Sequence, residues 1–242
     1  MSSRIGVFYV LTWFFLILLG GIQQATGLLP PEISLPQWGP GIAALLMLLI
    51  FRKDGHKITF YSKDIPDLRY LYTALIPVGV GLVVFVIKSF LHIQNSLTPA
   101  VYDSIWLMVL WMPLGALGEE LGWRGYLHKK LDTRMRGLFS SLLVGVLWMP
   151  IHVAFLSKGP VFILFLTLLI TSYSIVIYAL VQDTGFNVVL ASVFHLFINL
   201  TNLLFLDVIY ELPFMMVNAM VWVVVAGVVV FLKKELFFNS KG

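Results

Sequence analysis

The 242 residues contain no cysteine, which removes disulfides, a thiolate nucleophile and any Cys-ligated metal from consideration. Charge is also scarce, since only 12% of residues are Asp, Glu, Lys or Arg while 60% are hydrophobic. A chain so poor in ionic surface, with a mean hydropathy of +0.94, cannot remain dissolved as a globule. Other absences narrow the chemistry. The sequence has no H-E-x-x-H pair, no G-x-S-x-G elbow, no low-complexity tract and no repeat of fixed period. Nor do the net charge of +4 and the pI near 9.3 point to nucleic acid, because the basic residues sit in short clusters between apolar runs.

What is present is a series of long apolar runs, about eight of them, each near the 17–25 residues a helix needs to cross the hydrocarbon layer. They cover Ile5 to Ile22, Trp38 to Phe51, Leu71 to Phe90, Pro99 to Leu117, Ser140 to Leu156, Val161 to Leu180, Phe186 to Leu206 and Leu212 to Leu232. The second is short and carries Gly39, Pro40 and Gly41, which favour an irregular start or a tilt. None shows the period-two alternation of barrel strands. The fold expected is an all-α polytopic membrane helix bundle forming a single domain over 1–242, with its core at about 99–206. The first run, with Arg4 ahead of it and small residues at Ala25 to Gly27, has the look of a signal peptide; a retained anchor is the simpler reading beside seven further spans.

Of the 16 Lys and Arg, only Lys88 and Lys158 fall on one side of such an alternating chain. Arg4, the group Arg52, Lys53, Lys57, Lys63 and Arg69, the group Arg124, Lys129, Lys130, Arg134 and Arg136, and the tail Lys233, Lys234 and Lys241 share the other. Cytoplasmic loops collect Lys and Arg, so both termini are expected in the cytoplasm, of a bacterial plasma membrane in the simplest case. The hydrophilic stretch Arg52 to Arg69 reads as a solvated loop, and His56, His92 and His128 as surface histidines.

Five side chains do not suit this container: Glu119, Glu120, Arg124, His152 and His195. An ionisable group at membrane depth costs about 2.5 kcal/mol or more unless it pairs or lines a wet cavity. Glu120 and Arg124, four apart, share a helix face and can pair; Glu119 then points about 100° away. Gly118 and Gly122 present a small-xxx-small face for a close helix neighbour. The bland alternative is that these charges mark the membrane–water boundary. His152 and His195 weigh against it, because both stand inside apolar spans, the fifth and the seventh. Ser192, His195 and Asn199 form one polar stripe, and His195 with Asn199 can offer two aimed N–H donors to an oxyanion. Pro150 removes a backbone donor two residues before His152 and can bend that helix. At about 1.5 Å rise per residue, His152 lies roughly 18 Å from Ser140, deeper than an acidic pair at the cytosolic end of the fourth span. A cavity, a tilt or a later helix start has to reconcile the two depths.

Together these residues resemble the CPBP family of intramembrane proteases, the CAAX prenyl endopeptidase and bacteriocin-processing or abortive-infection (ABI) proteins. Glu119, Glu120 and Arg124 match its E-E-x-x-x-R; Trp148 to His152 match its F-x-x-x-H with tryptophan in place of phenylalanine; His195 to Asn199 match its H-x-x-x-N. The resemblance covers roughly Leu114 to Asn199. It implies an intramembrane endopeptidase acting near the cytosolic leaflet on a peptide or membrane-anchored protein, with a role in bacteriocin processing or self-immunity. Its catalytic set would be Glu119, Glu120, His152, His195 and Asn199, supported by Arg124, Trp148 and Ser192. Glu119 and His152 would activate water, and His195 and Asn199 would hold the oxyanion. No cofactor is favoured. The alternative is zinc on Glu119, His152 and His195, as the family is often labelled a metalloprotease. The implied partners are membrane lipid and a peptide, with no nucleic acid. A proton-coupled transporter would use the same buried Glu and His, but no pair of broken helices recurs in corresponding halves. A non-catalytic immunity or scaffold protein is the third reading.

Overall fold

The computed structural model describes residues 2–27, 33–93 and 105–239, whose regular elements are all helices, with no strand among them. The main helices are α1 (Ser2–Thr26), α2 (Gly39–Ile50), α3 (Asp67–Phe90) and α4 (Ile105–Glu120), followed by α5 (Lys129–Asp132), α6 (Gly137–Trp148) and α7 (Pro160–Val181). α8 (Val188–Asn202), α9 (Leu212–Leu232) and the short α10 (Lys234–Phe238) complete the chain. Among the described residues, six helices are long and apolar enough to cross a membrane, and Leu35–Ile50 and Gly137–Ile151 are shorter apolar helices. The polytopic α-helical bundle is therefore as its composition dictates. Exposed side chains such as Val10, Leu49, Phe90 and Phe231 clothe its outside, as a lipid-facing surface requires.

Three departures from the sequence reading matter for the site. The fourth span does not stop at Leu117: a wide-pitched π-helical stretch, Leu121–His128, joins α4 to α5, so that Ile105–Asp132 is one continuous 28-residue rod. Glu119 and Glu120 consequently stand near its middle, not at the cytosolic end, and the depth conflict with His152 disappears. Residues 99–104 of the expected span lie outside the described residues. The fifth span also ends early. Pro150 cannot donate a backbone bond, and α6 gives way at Met149–Ile151 to a tight turn, with His152 in a non-helical conformation (φ −80°, ψ 58°). His152 thus occupies a helix break, not a helix interior.

The third departure concerns the segment after Arg52, which is no free solvated loop. The carbonyls of Thr59 and Phe60 accept from the Val188 and Val189 amides at 2.9 and 3.2 Å, satisfying two N–H groups that the first turn of α8 would otherwise leave unpaired. The Asn187 side chain caps the same turn by accepting from Leu190 N at 2.9 Å. Lys129 donates to Lys57 O at 2.8 Å, and Asp54 pairs with both Arg4 and Lys130. His56 donates through Nε2 to Gly125 O at 3.0 Å, and His128, expected at the surface, is fully buried and stacked on Tyr178. His92 is exposed as expected.

The close helix approach expected at Gly118 and Gly122 is present. α2 packs on this face so tightly that a Cβ on Gly122 would come within 2.5 Å of the Pro40 carbonyl group, and one on Gly118 within 2.9 Å of the Trp38 ring. α8 lies among α3, α4 and α7, which puts His195 in the centre of the bundle.

Candidate functional site

The 2.9 Å bond from Arg124 Nη1 to Glu120 Oε1 is the i,i+4 pair read from the sequence. Both side chains are fully buried. The same carboxylate oxygen accepts from His195 Nδ1 at 2.8 Å, so α4 and α8 are tied through one acceptor. This bond commits His195 Nδ1 as the protonated nitrogen. Nε2 is then an acceptor on the neutral ring and a donor on the imidazolium.

Glu119 points away from that pair and is held by two other donors. Trp148 Nε1 donates to its Oε2 at 2.8 Å, and Gln37 Nε2 to its Oε1 at 3.3 Å. Gln37 in turn accepts from Trp111 Nε1 at 3.1 Å. Trp148 does more than hold Glu119. Its ring is 5.2 Å from that of His195 and 5.9 Å from that of His152, and the Arg124 guanidinium lies 4.3 Å from its centre, in cation–π range. The indole therefore links Glu119 to His152, His195 and Arg124.

His152 is oriented by the helix break itself. Where α6 ends, the Met149 carbonyl accepts from the His152 amide at 3.0 Å, and His152 Nδ1 lies 3.2 and 3.3 Å from the Trp148 and Met149 carbonyls. Carbonyls only accept, so Nδ1 carries the hydrogen and Nε2 is free on the neutral ring.

A void of about 500 Å³ adjoins these groups. Its walls include Gln37, Trp148, His152, His195 and Asn199, with Tyr173, Asn202 and Asn218 farther along. Tyr173 is hydrogen-bonded to both of those asparagines. The void thus collects His152, His195 and Asn199 of the expected set. Glu119 is 5% exposed and stands one layer back, behind Gln37 and Trp148; both imidazoles interact with its charge. Glu120 and Arg124 lie deeper, behind His195. Ser192 is not on the wall, and its hydroxyl is spent on Val188 O at 2.8 Å.

Gln37 and Trp111 escaped the sequence reading. Gln37 sits in Leu35–Trp38, a short turn ahead of α2, and the available signal was one carboxamide in the irregular Pro/Gly-rich start of the weakest span. Trp111 gave no signal, being one of 7 tryptophans in an apolar chain.

Among the described residues no three of His, Cys, Asp and Glu are grouped to hold an ion, and both Glu119 oxygens already accept from uncharged N–H groups.

Residues 101–201 match the family model described as Type II CAAX prenyl endopeptidase Rce1-like. Lysostaphin resistance protein A of Staphylococcus epidermidis is 29% identical over 203 residues, covering 80% of this chain and 52% of that protein. Its Staphylococcus aureus counterpart is 24% identical over 204 residues, covering 80% and 48%. The chain spans about half the length of the curated relatives it matches.

Proposed function

We propose that this chain, whose residues 101–201 match the Rce1-like CAAX endopeptidase model, is an intramembrane endopeptidase hydrolysing a peptide bond inside the bundle. One observation carries this reading: His152 and His195 share the wall of one void with Trp148, and the Trp148 indole that packs on both imidazoles donates to Glu119, which stands one layer behind that wall. Peptide hydrolysis needs an activated water, a site for charge on the carbonyl oxygen and a proton for the leaving amine. His152 Nε2 and Glu119 supply the base. Water reaches Glu119 Oε1 where the weaker 3.3 Å contact from Gln37 gives way. His195, as imidazolium held by Glu120, and Asn199 supply N–H donors to the oxyanion. His152, once protonated, returns its proton to the amine. Glu120 and Arg124 position His195, and no metal step enters this scheme.

The test is purified protein in detergent incubated with a peptide library, comparing wild type with Glu119→Gln, His152→Ala and His195→Ala. Cleavage by wild type, reduced at least a hundredfold in each variant, supports the reading; equal cleavage by all four proteins sinks it. Full activity after chelator washing supports the metal-free scheme, and stoichiometric zinc in the active protein overturns it.

A second reading has one observation in its favour. The curated relatives are named for lysostaphin resistance, not for proteolysis, which suits an immunity or scaffold role. That role predicts a resistance phenotype unchanged by Glu119→Gln and His152→Ala.

A further inference from the structure

The void is not centred between the two ends of the bundle. Its wall takes Met108 and Trp111 from the start of α4, His152 and Phe155 from beyond α6, and Leu166 from the first half of α7; Asn202 ends α8, and Met215 opens α9. Because consecutive spans run in opposite directions, all of these lie toward one end, where Phe155 stacks on Tyr210 at 4.9 Å. The other end carries the Thr59 and Phe60 carbonyls over the start of α8, the Arg69–Asp183 pair, and the Arg4–Asp54–Lys130 cluster, which lines a separate void of about 610 Å³. That end carries the Lys and Arg of residues 52–69 and 129–136 with Lys233 and Lys234, whereas Lys88 and Lys158 belong to the end where the void lies. Basic residues remain on the cytoplasmic side.

We propose that substrate enters from the extracytoplasmic side, as an uncharged apolar peptide segment. The proposal rests on the hydrolase reading for what happens to the peptide, but not for the route. The wall chemistry sets the substrate class. Among the described residues no Asp, Glu, Lys or Arg lines the void; Leu166, Leu169, Ile170, Ile198 and Met215 accept apolar side chains. Gln37, Asn199, Asn202 and Asn218 add carboxamides, each able to donate to a peptide carbonyl and accept from a peptide N–H. A charged side chain on that wall would lose its hydration without a counter-ion.

The absence of native cysteine makes the route directly measurable. Single cysteines are placed at Tyr210 on the rim, at Met108 and Asn202 on opposite walls, and at Lys63 on the basic end. Intact cells are then treated with a small membrane-impermeant thiosulfonate, with broken cells as the reference. Complete labelling of Tyr210→Cys, Met108→Cys and Asn202→Cys in intact cells, and labelling of Lys63→Cys only after breakage, is expected. Modification of both wall cysteines from the cytoplasmic face alone overturns the route. If either wall variant fails to accumulate, Leu206→Cys replaces it. Outside labelling without cleavage of any peptide removes the hydrolase reading and leaves the route standing; cleavage with labelling only from inside does the reverse. In detergent, kcat/KM for a neutral apolar peptide should exceed that for its Lys- or Asp-substituted forms by at least tenfold, and equal values overturn the substrate class.

Discussion

Trp148 and Glu119 form a buried donor–acceptor pair, indole N–H to carboxylate oxygen at 2.8 Å. Phenylalanine, the family residue at this position by resemblance, cannot make that bond. A hydrogen bond to a charged group contributes about 1.5–3 kcal/mol. Trp148→Phe keeps a ring for His152, His195 and Arg124 to pack on but frees Glu119 Oε2. On the proposed mechanism, kcat should fall about tenfold to a hundredfold with KM little changed, and the pH–rate profile should move. An unaltered profile with an unaltered kcat would show that the indole serves packing alone.

Glu120 answers to two cations or donors at once, Arg124 and His195. Taking the carboxylate away leaves a fully buried guanidinium without its partner, a loss of about 3–5 kcal/mol by comparison with other broken buried pairs. Glu120→Gln is expected to lower the thermal unfolding midpoint in detergent markedly. Adding Arg124→Met should restore part of the loss, because the orphaned charge goes with it. Additive losses in the double variant would show that the two residues do not act as a pair.

The α2–α4 contact offers a purely steric test. A Cβ on Gly122 meets the Pro40 backbone at 2.5 Å, while one on Gly79 meets nothing within 4 Å. Gly122→Ala should therefore destabilise by about 1–3 kcal/mol, as overpacking does, and Gly79→Ala should not. Since α2 also brings Gln37 against Glu119, activity should decline in the first variant and hold in the second. Equal unfolding midpoints for the two proteins would contradict this packing.

His56 lies outside the spans, and burial, with Lys129 and Lys130 nearby, pushes its imidazole below the ordinary value of 6.5, against the raising effect of its bond to Gly125 O. The neutral ring belongs to the folded state, so the unfolded chain binds more protons just below pH 6.5. Stability contributed here is fully present above that value and declines as pH falls from 6.5 through the lower folded-state pKa. Unfolding measured between pH 7.5 and about 5 should show a steeper loss for wild type than for His56→Gln. Parallel curves would rule the linkage out.

Much of this molecule can be read from its residues in order, because a bilayer is an undemanding reader: long apolar runs become helices, and Glu120 and Arg124, four apart, meet as spacing requires. Spacing also gave the Gly118/Gly122 contact surface. The errors share a cause. Falling hydropathy at Glu119 and Glu120 predicts the end of a span, yet tertiary pairing lets the helix continue through Leu121–His128 to Asp132. His152 was expected in a helix whose carbonyls it instead caps. Gln37 and the indole of Trp148 act across large sequence separations, and no local periodicity encodes which way an amide or an N–H will face. The depth of the bundle at which chemistry is proposed was thus a tertiary property.

The Thr59 and Phe60 carbonyls stopper one end of α8, and that has a bearing on turnover. On the proposed hydrolase reading, the void lies toward the opposite end of the bundle from these carbonyls, so fragments would leave on the side from which the chain arrives. Release would then compete with the next arrival, and short segments would be processed fastest.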